Sequence, residues 1–94
     1  MPIRSFGDRR TEKLFRGEPV RNMQKDLQKR VIAKLDYINE AARLDDLRIP
    51  PSNRLEKKKG DLKDFYSIRV NSQWRIIFRW VDGDAMDVTF IDYH

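Results

Sequence analysis

The residues best suited to chemistry lie in the second half of the chain, around its single histidine. His94 directly follows Asp92 and Tyr93. An imidazole can act as an acid or a base near neutral pH, and a carboxylate such as Asp92 or Glu56 can act as a base or orient a partner. Tyr93 could stack on a base or hydrogen-bond a phosphate oxygen, and Arg75 could stabilise the negative charge of a transition state. These side chains together offer the groups that cleave a phosphodiester without a metal ion.

Basic side chains are concentrated next to these residues. Residues 48–79 contain nine basic and three acidic residues, whereas residues 80–94 contain four acidic and no basic ones. Such a zone is typical of a protein that binds a polyanion, although a charged surface that keeps a small protein in solution produces the same pattern. We expect the following cations to contact a phosphate backbone: Lys57, Lys58, Lys59, Arg54, Arg69 and Arg79.

The composition argues against several other classes of protein. The chain has no cysteine, and it lacks a glycine-rich phosphate loop, a histidine cluster at metal-ligand spacing and a serine nucleophile with a partner base. We therefore expect no metal and no cofactor. No apolar run approaches the roughly 18 residues of a membrane span, and the first residues lack the apolar segment of a signal peptide. The expectation is one domain over residues 1–94, soluble, cytoplasmic and without a membrane partner.

Alternating apolar and polar residues predict the strands that carry these side chains. Segments 65–71 and 74–80 alternate with period two, and Asp82-Gly83 predicts a hairpin turn into a last strand. The apolar face of these strands, which should pack on a helix, contains Tyr66, Ile68, Val70, Trp74, Ile76, Phe78, Trp80, Met86, Val88 and Phe90, and both tryptophans are expected in the core. The opposite face gathers Ser67, Arg69, Arg75, Arg79, Thr89 and Tyr93.

The arginines on this second face would repel one another unless negative charge lies among them. One interpretation neutralises them with Asp87 and neighbouring carboxylates. The other leaves them to bind phosphate, which a guanidinium contacts through two hydrogen bonds. We favour the second interpretation.

The first half of the chain predicts a short strand and two helices. Residues 2–6 alternate like a strand, and Asp8 can cap a short helix that contains Leu14 and Phe15. An apolar stripe at steps of four and three then predicts an amphipathic helix; its members are Met23, Leu27, Val31, Leu35, Ile38 and Ala42. Acidic residues balance the basic ones on this helix, which favours packing over RNA or membrane binding. After Pro50-Pro51 we expect a polar loop with a short strand at 54–57 and a turn at Gly60-Asp61.

Four motifs resemble the HigB branch of the RelE-like toxins of bacterial toxin–antitoxin systems. They are Asn-Arg-Leu-Glu at 53–56, Tyr-Ser-Ile-Arg-Val-Asn at 66–71, Gln-Trp-Arg-Ile at 73–76 and Asp-Tyr-His at 92–94. The resemblance extends over nearly the whole chain, including its length and the order of its elements. It implies a compact α+β fold of the RelE-like, microbial ribonuclease-like type. In that fold, two N-terminal helices pack on a mostly antiparallel sheet of four to five strands.

The resemblance also implies an activity and partners. The activity is that of a metal-independent, ribosome-dependent endoribonuclease, which cleaves mRNA in the ribosomal A site and so halts translation. The implied partners are the ribosome, mRNA and a helix-turn-helix antitoxin. The toxin would bind operator DNA only through this antitoxin. Two alternatives remain: a toxin of the same fold that acts by binding a protein, as gyrase poisons of the ParE type do, and a non-catalytic RNA-binding module.

Residue by residue, the family's terminal Asp-Tyr-His corresponds to residues 92–94. Its phosphate-binding arginine corresponds to Arg75 and its loop lysine to Lys59. The chain departs from the pattern at Glu56, which stands near the place of a second histidine in some relatives. The division of acid and base roles among His94, Asp92 and Glu56 therefore stays open.

Overall fold

The computed structural model describes residues 1–62 and 64–92, in which two helices pack on one face of a four-stranded sheet. The helices are α1 (Arg9–Phe15) and α2 (Lys25–Glu40), and the strands are β1 (Glu56–Lys57), β2 (Phe65–Arg69), β3 (Trp74–Val81) and β4 (Asp84–Asp92). Short 3-10 helices span Leu44–Arg48, Pro51–Asn53 and Gly60–Leu62. The strand order is β1-β2-β3-β4, with every neighbouring pair antiparallel. The predicted α+β architecture is confirmed.

The N-terminal segment joins the sheet less completely than the sequence predicts. The expected strand at residues 2–6 is reduced to two parallel bridges to β4, Ile3 with Ala85 and Phe6 with Val88. Asp8 then caps α1 as predicted, since its carboxylate accepts a hydrogen bond from the Thr11 N–H at 2.8 Å. The segment thus covers the edge of β4 before the chain enters its first helix.

Helix α2 provides the apolar cover of the sheet. Val31, Leu35 and Ile38 are completely buried and belong to one core cluster with Phe78 and Phe90 of the sheet. The helix is shorter than its predicted stripe, because Met23 lies before its first residue and Ala42 lies after its last. No helix in the described part of the chain is both long and apolar enough to cross a membrane.

A bulge in β4 overturns one predicted strand face. Met86 pairs with Arg79 while Thr89 pairs with Ile77, so the register shifts between these pairs, and Asp87 has a positive φ of 53°. Met86 therefore lies on the same face as Arg79. The uninterrupted alternation had predicted that it would share the face of Val88 and Phe90. Ala85 takes its place on the helix side and is fully buried.

The two tryptophans differ in their surroundings. Trp74 packs against the core, with its ring 4.5 Å from that of Phe90. Trp80 is 43% exposed, so the prediction of a core position is wrong for this residue. It pairs with the buried Ala85 near the end of β3, next to the hairpin turn, but is not itself part of the core cluster.

The contact of Gly7 with β4 generates a stability prediction. A Cβ atom at Gly7 would lie 2.0 Å from Thr89 Oγ1 and 3.2 Å from the carbonyl oxygen of Asp87. Gly7→Ala should therefore lower the free energy of unfolding by about 2 kcal/mol, measured by urea denaturation. Because Thr89→Ala removes the nearest atom, the double variant should lose less than the sum of the two single variants. Additive losses would show that the clash is not the cause.

Candidate functional site

The centre of the candidate site is a buried arginine on the outer face of the sheet, the face opposite the helices. The side chain of Arg75 is 6% exposed. Its Nε donates to Ser67 Oγ at 3.0 Å, and its Nη2 donates to the backbone carbonyl of Arg54 at 2.6 Å. The carboxylate of Glu56 lies 3.6 Å from the same Nη2 and is about half exposed. A carboxylate that solvent can reach is thus held against a fixed positive charge.

Two local features of the chain bring these groups together. Arg54 has left-handed backbone angles (φ 45°, ψ 59°) directly after the 3-10 helix Pro51–Asn53, and this conformation accompanies the bond from its carbonyl to Arg75. Asn53 is completely buried and its amide nitrogen donates to the Leu47 carbonyl at 3.1 Å, which anchors this turn. The pairing of Glu56 with Ser67 in the β1–β2 ladder then sets the carboxylate beside Arg75.

The structure corrects the favoured interpretation for two of the three sheet arginines, Arg75 and Arg79. Arg79 Nε donates to Asp87 Oδ2 at 2.8 Å, so the predicted neutralisation by Asp87 is the arrangement found. Arg75 has Glu56 as its neighbouring carboxylate, and Arg69 Nε donates to the backbone carbonyl of Asn71 at 3.0 Å. Protein groups therefore hold each of these guanidinium groups in place.

The three consecutive lysines form a second group, which we call the lysine edge (Lys57–Lys59). Together with Gly60 and Asp64 they line a cleft of about 500 Å³. Lys57 also borders a smaller cleft of about 280 Å³ that it shares with Arg79 and the exposed Trp80. The lysine edge thus combines positive charge with an accessible aromatic ring, a pairing that suits a nucleic-acid strand.

The predicted site residues fall into separate groups. Arg69 and Arg75 are paired residues of β2 and β3, and Arg54 and Glu56 lie beside Arg75. Arg79 belongs with the lysine edge, four residues along β3, or roughly 13 Å.

Of the site residues predicted at the end of the chain, only Asp92 is described by the structure. Asp92 pairs with Trp74, which puts it on the helix side of the sheet, opposite in face to Arg75, and it accepts a hydrogen bond from Gln73 Nε2 at 3.0 Å. Tyr93 and His94 lie outside the described residues, so their catalytic roles stay predictions.

The role of several groups in the candidate site was not evident from the sequence. Ser67 and the backbone carbonyl of Arg54 hold the buried guanidinium, and Trp80 is accessible. The sequence offered one signal for Ser67, which is a small hydroxyl residue among the bulky residues of β2. Within residues 1–62 and 64–92, no group of three or more His, Cys, Asp or Glu side chains could hold a metal ion.

Comparisons with known proteins agree on one family. A family model described as the RelE-like toxin of type II toxin–antitoxin system HigB matches residues 4–94. Toxin HigB-1 of Vibrio cholerae serotype O1 is 52% identical over 61 residues, which cover 65% of this chain and 63% of that protein, less than two thirds of its length. Endoribonuclease HigB of Proteus vulgaris is 34% identical over 65 residues, covering 69% of this chain and 70% of that protein.

A solved structure shows the same fold at much lower sequence similarity. The crystal structure of YafQ from E. coli strain BL21(DE3) matches with a TM-score of 0.57 at 15% identity, over 97% of this chain and 93% of that one. This likeness concerns the fold alone. Together with the family match, it confirms the predicted RelE-like architecture.

The contrast between Arg75 and Arg79 can be tested by stability measurements. Arg75→Ala should lower the free energy of unfolding by about 2–4 kcal/mol, because it leaves the Arg54 carbonyl and the buried Ser67 without their donor. Arg79→Ala should cost about 1 kcal/mol or less, because its ion pair with Asp87 is partly solvated. Urea denaturation of both variants measures the difference. Equal losses would contradict a structural role specific to Arg75.

Proposed function

The chain belongs to the family of HigB-like toxins, the RelE-like toxins of type II toxin–antitoxin systems, and we propose that it is an endoribonuclease that cleaves mRNA in the ribosomal A site. The Proteus vulgaris relative bears the name endoribonuclease, which supports RNA as the substrate. The observation that carries the proposal is the half-exposed Glu56 carboxylate 3.6 Å from the buried guanidinium of Arg75. This pair offers a proton acceptor and a fixed positive charge at one place on the outer face.

The proposed chemistry is cleavage by the 2′-hydroxyl of the RNA itself, with no metal ion taking part. A base removes the proton of the 2′-hydroxyl, and an acid protonates the departing 5′-oxygen. His94 and Glu56 supply the acid and the base, and Asp92, whose position on β4 faces the helix side, takes the orienting role rather than that of a base beside Arg75. Arg75 stabilises charge at the phosphate mainly through its field, because only a small part of its side chain is exposed. Tyr93 binds a base or a phosphate oxygen.

We propose that cleavage depends on the ribosome because the toxin supplies only a few side chains for acid–base chemistry and charge stabilisation. The ribosome would hold the mRNA in a reactive geometry that the toxin alone does not impose, and such positioning accelerates reactions strongly. The lysine edge would guide the complex together, because clustered cations steer a protein toward the phosphate backbone. Its neighbour Trp80 is exposed enough to stack on a base.

The proposed partners and location follow from the family. Type II toxins are paired with protein antitoxins, and we propose a helix-turn-helix antitoxin as the neutralising partner, with operator DNA bound only through it. The toxin would act in the cytoplasm, where ribosomes and mRNA are found.

Replacing the imidazole tests the proposed activity. His94→Ala should reduce mRNA cleavage about 100-fold or more and relieve growth inhibition, because general acid–base catalysis contributes at least that factor. Primer extension on mRNA from a translating extract maps and counts the cuts, with and without ribosomes.

Binding of the antitoxin is the control for folding, and His94→Ala should bind it as the wild-type protein does. Cleavage by this variant at the wild-type rate would remove His94 from the mechanism. If the wild-type protein makes no cuts in the presence of ribosomes, the nuclease proposal fails and a toxin that acts by binding a protein takes its place.

The lysine edge is tested by its contribution to ribosome binding. Changing Lys57, Lys58 and Lys59 together to Ala should weaken association with ribosomes and flatten its dependence on salt, because fewer counterions are released. Sedimentation at several salt concentrations measures both quantities. Changing the exposed Lys13, Lys25 and Lys29 to Ala removes the same charge from the helices and is the matched control. An unchanged salt slope for the lysine-edge variant, or an equal effect of the control, would refute the role.

A further inference from the structure

A second cationic surface lies where helix α2 meets the turn between β2 and β3, and we call it the α2 cleft. It has a volume of about 560 Å³, and its lining includes Arg30, Lys34, Ser52, Arg69, Asn71 and Ser72. None of the described residues that line it has an acidic side chain. Among the described residues, none of its three cations takes part in an ion pair with a carboxylate. The cleft therefore concentrates positive charge without an internal counter-charge.

Lys34 is held in the cleft by a buried residue. Its Nζ donates to the Oδ1 atom of Asn53, whose amide nitrogen donates to the carbonyls of Leu47 at 3.1 Å and Ile49 at 3.4 Å. Partial burial lowers the pKa of Lys34 below its usual value, and the neighbouring charge of Arg30 lowers this pKa further. The ammonium group is thus fixed in a position where its charged form is disfavoured, and an anion placed there would relieve that cost.

The opposite wall of the cleft is equally well ordered. Arg69 Nε donates to the carbonyl of Asn71, and Asn71 Oδ1 accepts hydrogen bonds from the backbone N–H groups of Gln73 and Trp74, both at 2.9 Å. The side chain of Asn71 therefore stabilises the turn to which the Arg69 guanidinium is hydrogen-bonded. Two arginines and a lysine with serine hydroxyls nearby form a set of donors suited to phosphate oxygens.

We propose that the α2 cleft binds the phosphodiester backbone of RNA, as a subsite separate from Glu56 and Arg75. The proposal rests on the proposed function for the class of its ligand. Continuity favours RNA over an acidic peptide, because Arg69 is the direct β-sheet partner of Arg75. Three positions follow one another along β2. Tyr66 is paired with Lys57 of the lysine edge, and Ser67 is paired with Glu56. Arg69 then lines the α2 cleft. A strand that follows β2 would reach all three.

The test compares two double variants with the same change in charge on the same helix. Arg30→Gln with Lys34→Gln removes two cations from the cleft, whereas Lys25→Gln with Lys29→Gln removes two exposed cations elsewhere on α2. The probe is a single-stranded 2′-O-methyl RNA, which has no free 2′-hydroxyl and stays intact, and its binding is measured by fluorescence anisotropy at several salt concentrations. The cleft variant should bind about tenfold more weakly, with a salt slope reduced by about 1. The control variant should change much less.

A second arm identifies the source of the phosphate. Purified small ribosomal subunits replace the oligonucleotide in the same comparison. A selective loss with the oligonucleotide assigns the cleft to the mRNA strand, and a selective loss with the subunits alone assigns it to ribosomal RNA; either supports the proposal. Arg30→Gln alone, at an exposed position outside the Asn53 network, keeps the test valid if the double variant proves unstable, and it should give a smaller loss in the same direction.

The inference and the proposed function fail in different ways. If the wild-type protein binds RNA and both double variants bind it equally with the same salt slope, the α2 cleft is not a subsite, while cleavage of mRNA by the wild-type protein still supports the function. A cleft variant that keeps RNA binding but loses antitoxin binding would overturn the proposal in favour of an acidic peptide. If the wild-type protein binds neither the oligonucleotide nor the ribosomal subunits, both proposals fall.

Discussion

The burial of the Arg75 guanidinium is the interaction on which the candidate site depends. A charge removed from water costs several kcal/mol unless hydrogen bonds and an opposite charge offset that cost. Here the offset comes from Ser67 in the neighbouring strand, from the Arg54 carbonyl ahead of β1, and from Glu56. Strand β1 has only two residues and too few ladder bonds to be stable alone. The contacts that compensate the buried charge of Arg75 therefore also fix the position of Glu56.

This pairing also explains how one face of a small sheet accommodates several arginines. Arg79 has Asp87 and Arg75 has Glu56, so the mutual repulsion of these guanidinium groups is reduced within the protein. Arg79 also borders the small cleft beside Trp80, and two further clefts, at opposite ends of β2, are lined by the cations of the lysine edge and of the α2 cleft. In the proposed arrangement, the carboxylate and the buried arginine lie between two surfaces that attract phosphate. A polyanion held at both ends would pass over the groups assigned to cleavage.

Much of the fold was predictable because the signals were local. The apolar spacing of Val31, Leu35 and Ile38 indicated α2, and the Asp8 cap and the Asp82-Gly83 turn appear where they were expected. The failures concern Met86 and Trp80. A bulge inserts one residue into a strand without altering its composition, so period-two counting assigned Met86 to the wrong face. Trp80 continues the apolar alternation of β3 but is not part of the core cluster, and the alternation alone does not show which of its members other elements cover.

The sequence by itself determined the family, the types of the secondary-structure elements and the identity of the cations, because these depend on residue types and on spacing within a few positions. Tertiary structure alone decided which cations are internal and which line a cleft. The bond between Arg75 and Arg54 spans 21 positions and that between Lys34 and Asn53 spans 19. Arg30 and Lys34 are among the basic residues of the amphipathic helix α2, and they line a cleft only because a distant turn packs beside them. Hydrogen bonding and desolvation depend on distances in space, and the order of residues along the chain does not specify those distances.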